Sequence, residues 1–191
     1  MNTRTAQTKD RILSVASRLF YQHGIRAVGI DRVIAEAGIA KMTLYQHFKT
    51  KDDLILAFLE SWGATWRDEF MKQMAQCHTP EEKLLICFDL LVQRAESSEF
   101  RGCAFINTAL EVADPDHAIH GYVASTKRAL RDLWEKIAQK AAIPAARELA
   151  DQLLIIFEGA LVSAWIQQNP ETMRHARRLA ELCIEQAKRR E

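Results

Sequence analysis

The sequence predicts an all-α fold of about nine helices, with a three-helix N-terminal head followed by a larger helical body. Three observations carry that prediction. Glycine and proline are scarce, seven and four in 191 residues, whereas sandwiches and barrels need many turns. Apolar residues recur at three- and four-residue spacing over long stretches, the period of a helix face. Three of the prolines follow a side chain suited to capping a helix, at Thr79, Asp114 and Asn169, and proline in a first helical turn forfeits no hydrogen bond. No unit repeats at fixed length, which weighs against a solenoid.

The head comes first. Thr8 to His23 sets Ile12, Val15, Ala16, Leu19 and Phe20 on one face and Lys9, Arg11 and Arg18 elsewhere, and Gly24 follows as a helix-ending residue. Asp31 to Ala37 reads as a short second helix closed by Gly38, and Lys41 to Phe48 as a third. Glycine in a tight turn between two short helices is what a helix-turn-helix requires. In the third helix Leu44 and Phe48 lie four apart and share an inward face, so Lys41, Met42, Thr43, Gln46 and His47 look outward.

The body divides at its prolines, all four read as first-turn residues, into helices at about 51–76, 80–97, 102–112, 115–141, 144–168 and 170–189. Thr79 and Glu82 have capping-box spacing, and Glu81, Asp116 and Glu171 place negative charge at the positive end of a helix dipole. The 144–168 segment repeats Leu149, Leu153, Phe157, Ala160, Leu161, Ala164 and Trp165 at helical spacing. The last repeats Met173, Ala176, Leu179, Ala180, Cys183 and Ala187.

The net charge of +1 conceals a division. Residues 1–51 hold nine Lys or Arg against three acids, leaving seventeen against twenty-two. A compact basic head on an acidic body points to a polyanion met by the head alone, with DNA favoured over a membrane. No run approaches the roughly twenty apolar residues of a membrane span. The polar start MNTRTAQTKD lacks the apolar core of a signal peptide, so a cytoplasmic location is expected. Cys77, Cys87, Cys103 and Cys183 lack the spacing of a disulfide framework or a zinc site. His117 and His120 beside Asp114 and Asp116 have ligand types at i, i+3, yet solvent-facing residues at an acidic helix start explain them as well, and no metal is expected. No cofactor and no catalysis are expected either: there is no glycine-rich phosphate loop, no G-x-S-x-G elbow, and no nucleophile with base and orienter.

The outward face of the third helix suits duplex DNA. Thr43 and Gln46 can hydrogen-bond base edges in the major groove, Met42 can touch a thymine methyl, and Lys41 with Lys51 can neutralise phosphates. These residues carry a resemblance. A glycine, then I-x-x-x-A-G-I, then K-x-T-L-Y-x-H-F-x-x-K over about residues 8–56 is similar to the TetR-type bacterial transcription regulators. That resemblance implies an all-α homodimer with a DNA-binding domain at 1–50 and a ligand-binding and dimerisation domain at 51–191, the last two helices forming the dimer interface. It implies that Tyr45, His47 and Lys51 contact the DNA backbone and that Lys41, Met42, Thr43 and Gln46 approach or read the bases. It implies a ligand-responsive regulator, commonly a repressor, released from a palindromic operator by a small molecule that the sequence does not identify. Two positions depart from the pattern: Gly29 and Ala40 stand where Ser or Thr usually caps the second and third helices.

The body must then hold the switch. Trp62, Trp66, Phe88, Cys103, Asn107, Tyr122 and Phe157 are the candidate pocket residues; the aromatics can line an apolar site, though each serves equally as ordinary core. Cys103 follows Arg101 and Gly102 at an expected helix start, where the dipole and a guanidinium would make a thiolate more reactive towards electrophiles. Two other classes fit a helical body: a small-molecule carrier or enzyme with no DNA role, and a structural adaptor.

Overall fold

The computed structural model describes residues 3–189; the first two residues of the 1–50 segment and the last two of the 51–191 segment lie outside them. Among the described residues the chain forms nine helices and no strand: α1 (Thr3–His23), α2 (Ile30–Ala37), α3 (Lys41–His47), α4 (Lys51–Met74), α5 (Pro80–Ala95), α6 (Ala104–Glu111), α7 (Ala118–Lys140), α8 (Ala146–Gln167) and α9 (Glu171–Lys188). Contacts gather them into two compact units. One takes the chain up to Thr65 together with Ala104–Val123, and the other takes Trp66–Cys103 and the chain from Ala124 onward. Thus α6 packs with the head, and α4 and α7 run through both units.

In the first unit α1 buries Ile12, Ala16, Leu19 and Phe20, α2 buries Val33 and Ala37, α3 buries Leu44, and α4 buries Leu54, Ile55, Phe58 and Leu59. Phe20 meets Phe58 at 5.9 Å between ring centroids, and Phe58 meets Trp62 edge-on at the same distance. Ile25 and Val28 fix the α1–α2 turn by burial. Phe105 of α6 lies against α4: a Cβ at Gly63 would come within 3.2 Å of its ring.

The second unit is built on α8 and α9, with α5 packed against α9. Its core joins Leu84, Phe88 and Leu91 of α5 to Trp134 and Ala138 of α7, Leu149, Leu153 and Phe157 of α8, and Met173, Ala180 and Ile184 of α9. The 22-residue α8 is by length and composition alone apolar enough to cross a membrane, the mean hydropathy of an 18-residue stretch of it reaching 1.6. The reason is that both of its faces are apolar: Leu149, Leu153, Phe157 and Leu161 are buried, while Ile155, Val162 and Ile166 are exposed.

Helix starts separate what proline does from what its position suggests. Only Pro80 occupies the first turn as expected. Thr79 Oγ1 accepts from the Glu82 amide at 3.2 Å, and the Glu82 carboxylate accepts from the Thr79 amide at 3.1 Å, a complete capping box. Asn169 Oδ1 accepts from the Glu171 amide at 3.0 Å, while Pro170 itself stands at the N-cap of α9, one place before the first turn expected for it. Pro115 is instead in a turn: Asp114 Oδ1 accepts from the Asp116 amide at 2.9 Å, and α7 starts three residues later. Its first turn is capped by His117, whose Nδ1 accepts from the Ile119 amide at 3.2 Å. Pro144 also precedes its helix, between Ala142 and Ala145 in left-handed conformation. α6 spans Ala104–Glu111 rather than 102–112, so Cys103 sits just before its first turn.

Backbone amides of His78 and Thr79 hold the Glu82 carboxyl below the ordinary carboxylate range. A lowered folded-state value means that stability is present at neutral pH and lost as pH falls through that range. Thr79→Ala is expected to lower stability by about 1 kcal/mol. The melting-temperature deficit of Glu82→Ala against wild type, followed from pH 7 to pH 3, should shrink on acidification.

Candidate nucleic-acid interface

The third helix takes its bearing from two buried side chains. α3 has seven residues, too few to be stable alone in water, so burial of Leu44 at 0% exposure and Phe48 at 4% decides its orientation. Each contributes roughly 1.5–3 kcal/mol. With those two turned in, Lys41, Met42, Tyr45 and Gln46 are exposed, and Thr43, His47 and Lys51 are half-buried at the edge. Met42 is 73% exposed, a large apolar side chain left at the surface. The structure thus brings Lys41, Met42, Thr43, Tyr45, Gln46 and His47 onto one short element.

The turn before α3 is set by backbone chemistry. Gly38 has φ 60° and ψ 45°; its amide donates to Ala35 O at 3.2 Å and the Ile39 amide to Ile34 O at 3.3 Å, a Schellman closure that needs the left-handed residue glycine supplies. Gly29 and Ala40 occupy the N-cap positions of α2 and α3 in extended conformation, neither with a side-chain cap. The carbonyl of Ala40 receives the Thr43 amide at 3.0 Å.

One surface ion pair links α1 to α2, and a second lies within α2. Arg18 reaches Glu36 at 2.6 Å and Arg32 reaches it at 3.1 Å, while Arg32 Nη2 lies 3.1 Å from His23 Nε2. The Arg18 hydrogen bond, then that of Arg32, lowers the Glu36 carboxyl below its ordinary range. Lys41 pairs with Asp31 at 3.2 Å with both groups well exposed, so its ammonium is readily exchanged to another anion. Lys51 is placed differently from an open phosphate contact: its Nζ donates to Ile25 O at 2.5 Å. Lys9 lies 5.7 Å from the centre of the Phe48 ring.

The candidate pocket residues fall in both units. In the second, Trp66 stacks on Phe70 at 5.3 Å and meets Phe157 edge-on at 6.3 Å, Phe88 meets Phe157 at 5.6 Å, and Trp134 completes the cluster with a buried indole N–H that has no hydrogen-bond partner. Cys103 Sγ accepts from Lys127 Nζ at 3.6 Å, and Lys127 pairs with Glu158 at 3.1 Å. Burial raises the thiols of Cys77, Cys87 and Cys183. In the first unit Trp62 lies 4.2 Å from the Tyr21 ring, Tyr122 stacks on Phe105 at 6.4 Å, and Asn107 is half-buried on α6. A cleft of about 760 Å³ lies apart from all seven, between α5 and α9, among Asp89, Gln93, Arg174, Arg177 and Glu181. His117 and His120 have separate partners, Asp52 at 3.2 Å and the Val112 carbonyl at 2.9 Å.

Sequence reasoning missed one residue of the head entirely. Glu111, at the end of α6, accepts from the Arg26 amide at 2.7 Å across 85 positions of sequence. No local pattern marks such a contact.

A tight glycine turn delivering a short helix whose buried edge is apolar and whose free edge is basic, amidic and aromatic defines a helix-turn-helix regulator that binds DNA. Residues 12–58 match the family model described as bacterial regulatory proteins of the tetR family, and residues 80–179 match that of the transcriptional regulator LmrA/YxaF-like C-terminal domain. The chain belongs to the TetR family of transcriptional regulators. It is 34% identical to the regulator QacR of Staphylococcus aureus over 82 residues, 43% of this chain and 44% of QacR's length. It is 24% identical to the regulator YjdC of Escherichia coli over 91% of both. Among solved structures it resembles SCO4454, a TetR-family regulator from Streptomyces coelicolor, with a TM-score of 0.89 at 28% identity over 96% of this chain and 97% of that one.

The uncapped start of α3 makes a measurable claim. Ala40→Ser should raise stability by about 1 kcal/mol through a new bond to an α3 amide, read as a higher denaturation midpoint at unchanged slope.

Proposed function

We propose that this chain is a homodimeric, cytoplasmic repressor that binds a palindromic operator through α3 and is released by a small molecule bound in its 51–191 segment. The observation that carries the reading is the division of α3 between two buried anchors and an outward face of DNA-reading types. In this reading Lys41, Met42, Thr43 and Gln46 approach the bases, and Tyr45, His47 and Lys51 hold the backbone while residues 1–50 act as the DNA-binding domain. The protein works by binding rather than catalysis, needs no cofactor, and has no membrane partner.

An unpartnered stripe supports the dimer. Ile155, Val162 and Ile166 of α8 and Leu179 and Leu182 of α9 are 39–72% exposed. Gly159 joins the α8 series at heptad spacing with no atom within 4 Å of a built Cβ, so a second helix can approach there closely. Effector contact is proposed for Trp66, Phe88, Cys103 and Phe157 in the second unit and for Trp62, Asn107 and Tyr122 in the first. The cluster around Trp66, Phe88 and Phe157 supplies apolar surface, with the Trp134 N–H as an unused donor beside it.

Selection from random duplexes tests the reading: a regulator enriches a palindrome and binds it with an affinity that falls steeply with salt, whereas a carrier or adaptor enriches nothing. On the selected operator, Lys51→Ala should reduce the salt slope by about one and weaken all sequences alike. Gln46→Ala should instead relax discrimination at one base position by about 1–3 kcal/mol and leave the slope unchanged.

The dimer has its own test. Ile155→Glu with Ile166→Glu should convert the protein to a folded monomer by sedimentation, with loss of tight operator binding. Persistence of the wild-type dimer would remove α8 from the interface.

A further inference from the structure

We propose that Glu111 is a positioning residue for operator recognition: from the C-terminal end of α6 its carboxylate sets the α1–α2 turn, and through that turn the bearing of α3. The inference rests on the DNA-binding reading above and adds to it a residue far outside the helix-turn-helix.

The turn is held from two sides. Its carbonyl at Ile25 accepts from Lys51 Nζ at 2.5 Å, at the first residue of α4. Its amide at Arg26 donates to Glu111 Oε2 at 2.7 Å, a bond strengthened by the charge of the acceptor. The other carboxylate oxygen fills the space beside Gly24: a Cβ built there, at φ +85°, would lie 2.4 Å from Oε1 and 3.0 Å from Oε2. One carboxylate therefore lies against both Gly24 and Arg26; the positive φ calls for glycine, and a Cβ there would push the Glu111 side chain aside.

Glu111 is electrostatically misplaced for its own helix. The last turn of a helix favours cations, because its unpaired carbonyls carry the negative end of the dipole, yet α6 ends in an acid and has no basic residue in its last turn. An acid at that position is explained by what it bonds, not by the helix that bears it. The chain just beyond is held in place as well. His120 Nε2 lies 2.9 Å from the Val112 carbonyl, and His117 Nε2 lies 3.2 Å from Asp52 Oδ2 at the start of α4. The carboxylate is thus presented to the turn from a braced segment.

A dimer reading two half-sites needs each recognition helix at a fixed angle and separation. Loosening one anchor of the turn lets the head pivot on the other, which widens the range of half-site spacings it accepts. The measurement uses the selected operator and two derivatives with one base pair added or removed between half-sites. Wild type should bind the selected spacing far more tightly than either derivative. Glu111→Ala should cut that preference fivefold or more at unchanged salt slope, and isosteric Glu111→Gln should lose less, since its oxygen still accepts from Arg26. Gly24→Ala, which displaces the carboxylate from the opposite side, should act in the same direction. A purely structural role lowers affinity by one common factor at all three spacings. That result, or an unchanged preference in Glu111→Ala, overturns the proposal while leaving the DNA-binding reading intact. Failure of wild type to bind any selected duplex overturns both. Should Glu111→Ala not fold, Glu111→Gln carries the same comparison.

Discussion

Burial of Leu44 and Phe48 is the constraint on which the head depends. A seven-residue helix cannot hold itself together, so α3 exists because those two side chains have a core to enter, supplied by α1, α2 and α4. Once they are inside, the hundred-degree step of the helix leaves no freedom in where Lys41, Met42, Tyr45 and Gln46 go. The chemistry offered to DNA is a by-product of apolar packing, and changes in the core beneath α3 would rotate the reading face without touching it.

α8 shows the same logic at larger scale. A helix buried on one side usually presents a polar opposite face, and α8 instead exposes Ile155, Val162 and Ile166. Composition alone makes it look like a membrane span, but Glu148, Asp151 and Glu158 interrupt it, and Leu149, Leu153, Phe157 and Leu161 belong to a protein core. Two apolar faces on one helix are what the proposed dimer requires, one packed within the chain and one left exposed for a second copy. Gly159 on the outer face fits that account, since a glycine in mid-helix costs stability and gains nothing from any contact within the chain.

Much of this was legible in the sequence where local physics decides. The head helices were readable to within a residue at α2 and α3, because Gly38 ends one and the apolar pair Leu44 and Phe48 defines the other. The Thr79 box was readable because both partners lie within one turn. The starts of α7 and α8 were not. Asp-Pro serves an Asx turn as well as a helix start, and nothing in the sequence separates these uses before the His117 cap is seen. Left-handed Ala142 and Ala145 carry no signature at all, since alanine gains nothing from that conformation. Contacts such as Lys51 with Ile25 and Glu111 with Arg26 depend on elements brought together from 26 and 85 positions apart, and no spacing rule reaches that far. The pocket candidates have no local rule behind them, because an aromatic on a helix face is identical in sequence whether it lines a cavity or fills one.

The two unusual caps connect these observations. Gly29 and Ala40 leave α2 and α3 without the side-chain bonds that would make each start locally self-sufficient. Gly38 closes α2 internally, but the entry to the motif is secured by anchors from other elements: Ile25 and Val28 buried, Lys51 on one side, Glu111 on the other. A helix-turn-helix with strong local caps would keep its geometry whatever its surroundings did. One held by distant groups takes its geometry from them, so weak caps make the head responsive to α4 and α6. Under the proposed function, in which the protein binds DNA in one state and releases it in another, that local weakness is where control would enter, since a small displacement of either anchor would pass to the reading face instead of being absorbed at the helix ends.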